Sequence, residues 1–472
     1  MTNLLTGLQT WASTTANWAV TNSSSLNDCL DFFFLAWASR TMSIEDKVWM
    51  FSRAFNQDRA TALKVLFWSR DVRGWAWERQ LFRDILKYLA KNHTDIYRAI
   101  EKHIPEYGRW DDLFYDMTMY SFSEWFIKES IKNITDLPLL AKWLPREKSS
   151  KKDIAKEIRR VSKMTPKEYR HMLAENSMTV ENQMCDNQWD EIKFKWVPSQ
   201  AFKIYSAAFM KHDEERFTSF LWQVEEGTET INAWAIFPMD LYKKWEWSNW
   251  GWWNPVNSTT ELQAINGQWD NLPDYMNDEN ILPVCDVSWS MNWDPMAVSI
   301  SLWVYLSERT KGIFKDHFIT FSARPTLQKL TGKVTDRFLQ LRRANWDMNT
   351  DLVATFKLIL DVALRDDLKQ SDLPSKVLII SDMEFDYCSG SETNMEFIQN
   401  MFTDNWYECP WLIFWNVRWR IDNSPAQQAD RNVWLVSGYS PSIMTSILWG
   451  QDFSPVWIMN TTLEKYNFID KI

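Results

Sequence analysis

Apolar residues recur three and four positions apart through residues 1 to about 245, the spacing of a helix face that packs on a core. This spacing predicts ten helices: Leu30–Ala38, Ile44–Phe55, Arg59–Ser69, Glu78–Lys91, Thr94–Lys102, Ser121–Asn133, Ser150–Val161, Thr165–Glu175, Ser199–Lys211 and Glu214–Gly227. Helices joined by short polar connections stack as antiparallel hairpins. Several hairpins in succession predict an all-α solenoid with HEAT-like hairpins over residues 1–245.

From Ile281 the pattern changes to short apolar runs that alternate with amphipathic segments. The runs predict strands at Ile281–Asp286, Asp316–Phe321, Lys376–Asp382, Trp411–Val417 and Val433–Val436. The segments between them predict helices at Pro295–Lys311, Asp336–Arg343, Asp351–Asp366, Asn394–Asp404 and Pro441–Leu448. This alternation predicts a doubly wound, mostly parallel sheet, so the fold class is multidomain, α followed by α/β.

The domain boundary is predicted from a break in composition. Residues Trp245–Asn257 combine many Trp with Gly, Asn and Pro, and one more helix is expected at Thr259–Ala264. We therefore predict a helical domain over 1–245, a linker with a bridging helix over 246–280, and an α/β domain over 281–472.

Oxygen-bearing side chains follow two of the predicted strands. Asp286, Ser288 and Ser290 alternate directly after the first strand, Asp382 ends the third, and Thr350 lies between them in the chain. Mg²⁺ (or Mn²⁺) suits such a set, because it takes few carboxylates, keeps waters and leaves a position for a partner's oxygen. In doubly wound sheets, ligands bind beyond the carboxyl ends of the strands. These five residues therefore predict one metal site; the alternative is a Ser-rich turn that caps a helix.

The composition is unusual in having 31 Trp and only 11 Gly in 472 residues. Average usage would give about 33 Gly. Several Trp also stand where the backbone favours Gly, including Trp75 and Trp77 around a tight turn and Trp289 inside the proposed metal turn. We hypothesise that many Trp are encoded by UGA codons that the source translates as glycine. The alternative is an aromatic-rich protein with a large core.

The formal net charge is −10, so bulk electrostatics do not favour a polyanion as partner. Between Arg146 and Arg170, however, the chain contains ten basic residues and only four acidic ones. Such a run is typical of a solvated helix face, and an RNA-facing surface is the other interpretation. The candidate RNA contacts are Lys148, Lys151, Lys152, Lys156, Arg159, Arg160 and Lys163.

Cysteine usage favours a reducing compartment. The five Cys are odd in number, widely spaced and free of Cys-x-x-Cys pairs, which excludes a disulfide framework and a zinc site of ordinary spacing. The first residues lack the pattern of a signal peptide, and the apolar run Phe32–Ala38 is too short to cross a bilayer. We therefore expect a cytoplasmic protein without a membrane partner; the sequence does not predict the oligomeric state.

Several segments together resemble a known architecture: Asn17–Ser24, Arg70–Arg79, Ile104–Leu113, Lys142–Pro145, Val197–Ser199, Ala208–Asp213, Ser381–Asp386, Phe414–Val417 and Leu435–Pro441. Combined with Asp-x-Ser-x-Ser, Thr and Asp, they are similar to the TROVE and von Willebrand factor A architecture of Ro ribonucleoproteins. The chain looks like the uncharacterised bacterial, phage and plant branch of that family. Trp18, Trp75, Trp77 and Trp289 depart from it at positions where the family has Gly.

The resemblance implies a helical ring that binds RNA and a C-terminal domain with a metal-ion-dependent adhesion site. The charges of Arg70–Arg79 also fit structural salt bridges, so the RNA role is not transferred to them. We predict a non-enzymatic binding protein, because the five His lie outside recognisable catalytic motifs and no Gly-rich phosphate loop is present. The alternative is a Mg²⁺-dependent scaffold that binds an acidic protein partner and has no RNA role.

Overall fold

A computed structural model describes much of the chain. The described residues are 12–14, 20–22, 24–36, 39, 42–72, 78–115, 124–177, 179–250, 259–276, 281–286, 291, 294–311, 314–320, 325–343, 351–383, 385, 394–417, 424–425, 432–437 and 454–472. Every structural statement below concerns these residues. The predicted helix Pro441–Leu448 lies outside them, as do Trp75, Trp77 and Trp289.

The first half is helical, preceded by a small antiparallel hairpin of strands β1 (Ala12–Thr14) and β2 (Val20–Asn22). In the part of the chain that the structure describes, the helices up to residue 107 are α1 Asp28–Leu35, α2 Ile44–Gln57, α3 Arg59–Arg70, α4 Arg79–Asn92, α5 Thr94–Ile100 and α6 Ile104–Tyr107. Side-chain caps fix several starts: Ser43 accepts from the amide of Asp46, and Asp58 from that of Thr61. Because single residues separate α2 from α3 and α4 from α5, these helices pack as neighbours.

Further α-helices lead to the sheet among the described residues. They are α7 Glu124–Lys132, α8 Pro138–Trp143, α9 Lys152–Val161, α10 Pro166–Asn176, α11 Val180–Cys185, α12 Ser199–His212, α13 Glu214–Glu225, α14 Pro238–Trp250 and α15 Thr259–Asp270. A capping box between Thr165 and Glu168, with Pro166 in the first turn, starts α10 as the sequence suggests. The helical character of this half is confirmed; its arrangement as a solenoid stays a prediction.

The C-terminal region is built on a six-stranded mixed sheet in the order β5-β4-β3-β6-β7-β8. Its strands are β3 Ile281–Cys285, β4 His317–Thr320, β5 Leu327–Lys329, β6 Lys376–Ser381, β7 Trp411–Asn416 and β8 Val433–Ser437. The connecting helices are α16 Asp294–Arg309, α17 Val334–Arg343, α18 Leu352–Arg365, α19 Asn394–Asp404 and α20 Pro455–Leu463. All strand pairs are parallel except β4 with β5.

Five of these strands lie where the sequence predicts them, because each contains a run of buried apolar residues. All six residues of β6 are buried. Sequence reasoning missed β5, which is short, exposed at two of its three positions and at the sheet edge. Residues 246–250 of the predicted linker instead complete α14, and α15 extends to Asp270 rather than ending at Ala264.

One continuous hydrophobic core joins the two halves of the chain. The last segment, Glu464–Lys471, is 3₁₀-helical and lies against α3. Phe468 stacks on Tyr107 with ring centroids 5.1 Å apart and meets Phe67 edge to face. The two halves of the chain thus pack together through this last segment. Their division into separate domains stays a prediction.

Candidate functional site

Two buried carboxylates lie at the carboxyl ends of adjacent parallel strands. Asp286 follows β3, and Asp382 follows β6. Cys285 pairs in register with Ile380, so the two strands end at the same level. The backbone amide of Asp286 extends this ladder by donating to the carbonyl of Ile380 at 3.0 Å. The structure thus brings together the two carboxylates of the predicted metal site at one edge of the sheet.

Ser381 connects the two strand ends. Its hydroxyl donates to Oδ2 of Asp286 at 2.6 Å, and its oxygen accepts from the amide of Met383 at 2.9 Å. Met383 adopts a positive φ of 67°, so the backbone turns sharply directly after Asp382. Asp286, Ser381 and Asp382 are almost completely shielded from solvent. A charge-assisted hydrogen bond of this kind fixes the orientation of a carboxylate.

The same edge of the sheet contains a polar residue that sequence reasoning did not assign. Asn416 ends β7, pairs in register with Ser381, and is buried. Ser381 and Asn416 are the polar last residues of strands that are otherwise mainly apolar. This signal is visible in the sequence, but the sequence analysis included both residues in the predicted strands and gave them no role. Buried polar groups at the ends of three neighbouring strands (β3, β6 and β7) give this edge the chemistry of a ligand site.

Three of the five predicted metal ligands, Ser288, Ser290 and Thr350, lie outside the described residues. Asp351, directly after Thr350, caps α18 by accepting from the amide of Ala354 at 2.8 Å. Among the residues that the structure does describe, no three His, Cys, Asp or Glu side chains form a cluster suited to a metal. The predicted set needs only two such residues, and its hydroxyl ligands would complete the shell.

The predicted RNA-contacting residues surround α9, whose opposite face is buried. Three of the seven pair with carboxylates: Lys156 with Asp153, Arg159 with Glu147, and Arg160 with Glu157 and Glu124. For the other four, Lys148, Lys151, Lys152 and Lys163, the described part of the chain supplies no ion-pair partner. Ion pairs therefore neutralise part of this surface and leave a smaller basic group.

The charged motif Arg70–Arg79 has structural roles where it is described. Arg70 donates from Nε to Asp112 at 2.8 Å, and Asp71 accepts from Tyr466 at 2.8 Å. Glu78 caps α4 by accepting from the amides of Gln80 and Leu81. These contacts are buried, as the salt-bridge interpretation of the motif leads one to expect.

Trp406 has a backbone geometry better suited to Gly. Trp406 follows α19 with φ of 64° and is 98% exposed. The amide of Trp406 donates to Thr403, and that of Tyr407 to Phe402, which is the Schellman arrangement that usually has Gly at this position. Gly227 occupies the same position after α13. This backbone geometry supports the codon hypothesis at residue 406.

Trp303, in the middle of α16, is fully buried, and its indole nitrogen has no hydrogen-bond partner in the described structure. Its ring centroid lies 4.1 Å from that of Phe318, closer than aromatic pairs usually pack. A buried, unpaired and crowded indole is unfavourable.

Comparison with known proteins places this chain in a family of unknown function. The chain belongs to the family defined by a domain of unknown function, DUF2828, which matches residues 15–97 and 126–282. Residues 280–464 match a second domain of unknown function, DUF7788. The Uncharacterized protein L728 of Acanthamoeba polyphaga mimivirus is 27% identical over 496 aligned positions, which cover 93% of this chain and 85% of the viral protein.

The boundary between the two matched domains falls at residues 280–282, where β3 begins. The predicted division of the chain into domains stays a prediction. In the ranges described above, the helices are too short or too polar to span a membrane.

Proposed function

We propose that this protein is a non-enzymatic binding protein whose C-terminal domain binds a divalent cation, Mg²⁺ or Mn²⁺, and whose helical part contacts RNA. The observation that carries the proposal is the pairing of Asp286 and Asp382 at adjacent strand ends, with Ser381 fixing the first carboxylate. Similarity to the metal-ion-dependent adhesion site of von Willebrand A domains supports the same assignment. The proposed ligands are Asp286, Ser288, Ser290, Thr350 and Asp382.

The chemistry of this ligand set favours binding over hydrolysis. Hydrolytic metal sites activate a water at an ion held mainly by carboxylates or histidines. Here two carboxylates would formally balance the charge of the cation, and the three neutral hydroxyls would leave a coordination position that an acidic side chain from a protein partner can fill. The burial of Asp286 and Asp382 would strengthen the attraction, since screening by water is weak there.

The RNA role is supported by the basic residues around α9 that lack acidic partners in the described structure. Lys148, Lys151, Lys152 and Lys163 present positive charge near one another in sequence, within a chain of net charge −10. Contacts of this kind bind phosphates without reading bases, and they weaken as salt rises. The resemblance to Ro ribonucleoproteins points to the same ligand class.

Two measurements test the RNA role and the metal site independently. Binding of a fluorescent single-stranded RNA is measured at low and moderate salt, with and without a chelator. We expect salt-sensitive binding that the chelator leaves unchanged, since the basic surface and the metal site are different regions. Absence of RNA binding at low salt would remove the RNA role.

The metal site is tested by capturing protein partners from the native source. Wild type and Asp286→Ala are compared, each in the presence of Mg²⁺ and of a chelator. We expect the same protein partner to be lost with chelator and with the variant. The exposed Asp361 on α18 supplies a control, Asp361→Ala, which should leave capture unchanged. A partner that persists in chelator and with Asp286→Ala would contradict metal-dependent recognition.

The second candidate is a Mg²⁺-dependent scaffold with no RNA role. It is favoured by the ion pairs of Lys156, Arg159 and Arg160, which neutralise much of the predicted RNA surface. It shares the metal site with the first candidate. Metal-dependent capture combined with no RNA binding would establish it.

A further inference from the structure

An arginine-rich cluster lies where α3, α4 and the loop after α6 meet. Arg70 and Arg83 both donate to Asp112, from Nε atoms 2.8 Å and 2.6 Å from its oxygens. Arg83 also contacts Asp111 at 2.7 Å. These bonds hold two guanidinium groups side by side in the interior, because Arg70 and Arg83 are 2% and 6% exposed.

The close approach of Arg70 to Asp112 depends on Gly108. A Cβ at this glycine would lie 2.7 Å from Oδ2 of Asp112 and 3.4 Å from Cγ of Arg70. The chain therefore leaves space for the guanidinium beside the Asp112 carboxylate. Nη2 of Arg70 is nevertheless buried without a hydrogen-bond partner in the described structure. A buried cationic donor that lacks an acceptor indicates a ligand with acceptor oxygens.

Three more cations surround this pair. Burial lowers the pKa of Arg109, and the nearby charges of Arg70 and Arg79 lower it further. Burial also lowers the pKa of Lys151, and the neighbouring charges that act on it include Asp111, Arg83 and Arg79. The cluster thus contains five basic groups, Arg70, Arg79, Arg83, Arg109 and Lys151, around two carboxylates, Asp111 and Asp112.

Other carboxylates near these helices have partners of their own. Asp84 pairs with Lys47 at 3.0 Å, and Asp71 with Lys465 and Tyr466. The carboxylate of Glu78 accepts from two backbone amides. Arg79 and Lys151 therefore have no carboxylate partner among the described residues, and uncompensated charge in a partly buried place is unfavourable without an anion.

The cluster also has an open side. Arg79 is exposed and Lys151 is half-buried, and neither forms an ion pair with another described residue. Tyr115 lies under the guanidinium of Arg83 at 4.5 Å, and Trp143 under that of Arg109 at 5.4 Å. A ligand that approaches the cluster would thus meet the cations of Arg79 and Lys151, with aromatic faces nearby.

We propose that Arg70, Arg79, Arg109 and Lys151 form a binding site for one phosphate group, supplied by the backbone of single-stranded RNA. This inference rests on the RNA role proposed above. Of the four residues, only Lys151 belongs to the basic run Arg146–Arg170; Arg70 lies on α3 and Arg79 on α4. Arg70 would donate from Nη2 to a phosphate oxygen. Arg79 and Lys151 would neutralise the remaining charge at the surface.

The test compares wild type with the double variant Arg79→Ala/Lys151→Ala, whose side chains are not part of the core. A double control, Lys91→Ala/Lys132→Ala, removes the same charge from exposed positions on α4 and α7. Anisotropy of a labelled single-stranded RNA is measured at two salt concentrations. Binding of inorganic phosphate is measured separately by calorimetry.

We expect the double variant to bind RNA about tenfold more weakly and with a shallower salt dependence, while the control remains within about twofold. Arg70→Lys keeps a cation beside Asp112 but cannot supply the second guanidinium donor, so it should weaken binding while circular dichroism stays unchanged. Inorganic phosphate should compete with RNA in wild type.

Each other outcome has a definite meaning. RNA binding that is equal in wild type and the double variant would overturn the phosphate site and leave the RNA role intact. Binding of inorganic phosphate, lost in the double variant, without any RNA binding would support the site with a free phosphate as ligand and remove the RNA role. Binding of neither ligand would overturn both.

Discussion

The hydroxyl of Ser381 donates a 2.6 Å hydrogen bond to Oδ2 of Asp286 across two parallel strands. The two residues are 95 positions apart in the chain, and both are fully buried. Because Ser381 also accepts from the amide of Met383, it connects the Asp286 carboxylate to the turn that follows Asp382. One serine therefore sets the relative position of both proposed carboxylate ligands.

Replacing Ser381 by Ala should weaken both folding and metal binding. The buried oxygen of Asp286 would lose a charge-assisted donor, so we expect the free energy of unfolding to fall by about 1–3 kcal/mol. Loss of an orienting contact should lower metal affinity by roughly 10- to 100-fold. Urea unfolding and calorimetric Mn²⁺ titration measure the two effects. Ser371→Ala, at an exposed serine, should change neither.

Replacing Trp406 by Gly should stabilise the protein. Its left-handed backbone disfavours a bulky side chain, and the ring is 98% exposed, so removal of the ring costs little packing. We expect a gain of about 1 kcal/mol in the free energy of unfolding. The same change at Trp247, 82% exposed within α14, should instead cost about 1 kcal/mol, because Gly is unfavourable inside a helix. Equal effects at the two positions would contradict this explanation.

The C-terminal segment should stabilise the helical half through Asp71. Asp71 is completely buried and accepts from Tyr466, while Lys465 pairs with it at 2.5 Å. Asp71→Ala should lower the free energy of unfolding by about 3 kcal/mol, and Tyr466→Phe by about 1 kcal/mol. Asp470→Ala, which breaks a more exposed pair with Lys64, should cost less than about 1 kcal/mol. Thermal and urea unfolding measure these changes. Equal losses in the free energy of unfolding for all three variants would contradict a stabilising role of the buried contact.

Thiol reactivity should distinguish Cys185 from two other cysteines. Burial, followed by the nearby Asp58 carboxylate, raises the pKa of Cys29 to about 12, and burial raises that of Cys409 to about 12. Cys185 is exposed. At pH 8 the thiolate fraction of Cys29 and Cys409 is negligible, so brief alkylation of the folded protein should modify Cys185 first. Rapid modification of Cys29, measured by peptide mapping, would contradict the packing of α1 against α2.

The sequence predicted the parts of the fold that local pattern determines. The buried strands β3, β6 and β7 are uninterrupted apolar runs, and capped helices such as α10 begin at the expected residues. Local pattern could not reveal β5, which is three residues long and is held by its pairing with β4. Local pattern also predicted a linker at residues 246–250, which instead belong to α14. The helix α14 packs against α16, a contact that local pattern does not reveal.

The candidate site could likewise be predicted from the sequence only in part. Asp286 and Asp382 could be selected because a carboxylate directly after a buried strand is conspicuous in a sequence. The bond from Ser381 to Asp286 could not, since it depends on the register between two strands. The arginine cluster was equally hidden, because Arg70 and Lys151 belong to separate motifs that meet only in the folded chain.

The most direct test of the central claim is a titration of the purified protein with Mn²⁺, followed by electron paramagnetic resonance or calorimetry. We predict one ion per chain for wild type and for Asp361→Asn, with Mg²⁺ in competition. Asp286→Asn and Asp382→Asn should each lose this ion while remaining folded by circular dichroism. Stoichiometric Mn²⁺ binding that survives in both folded variants, or its absence from wild type, would contradict a cation site at the ends of β3 and β6.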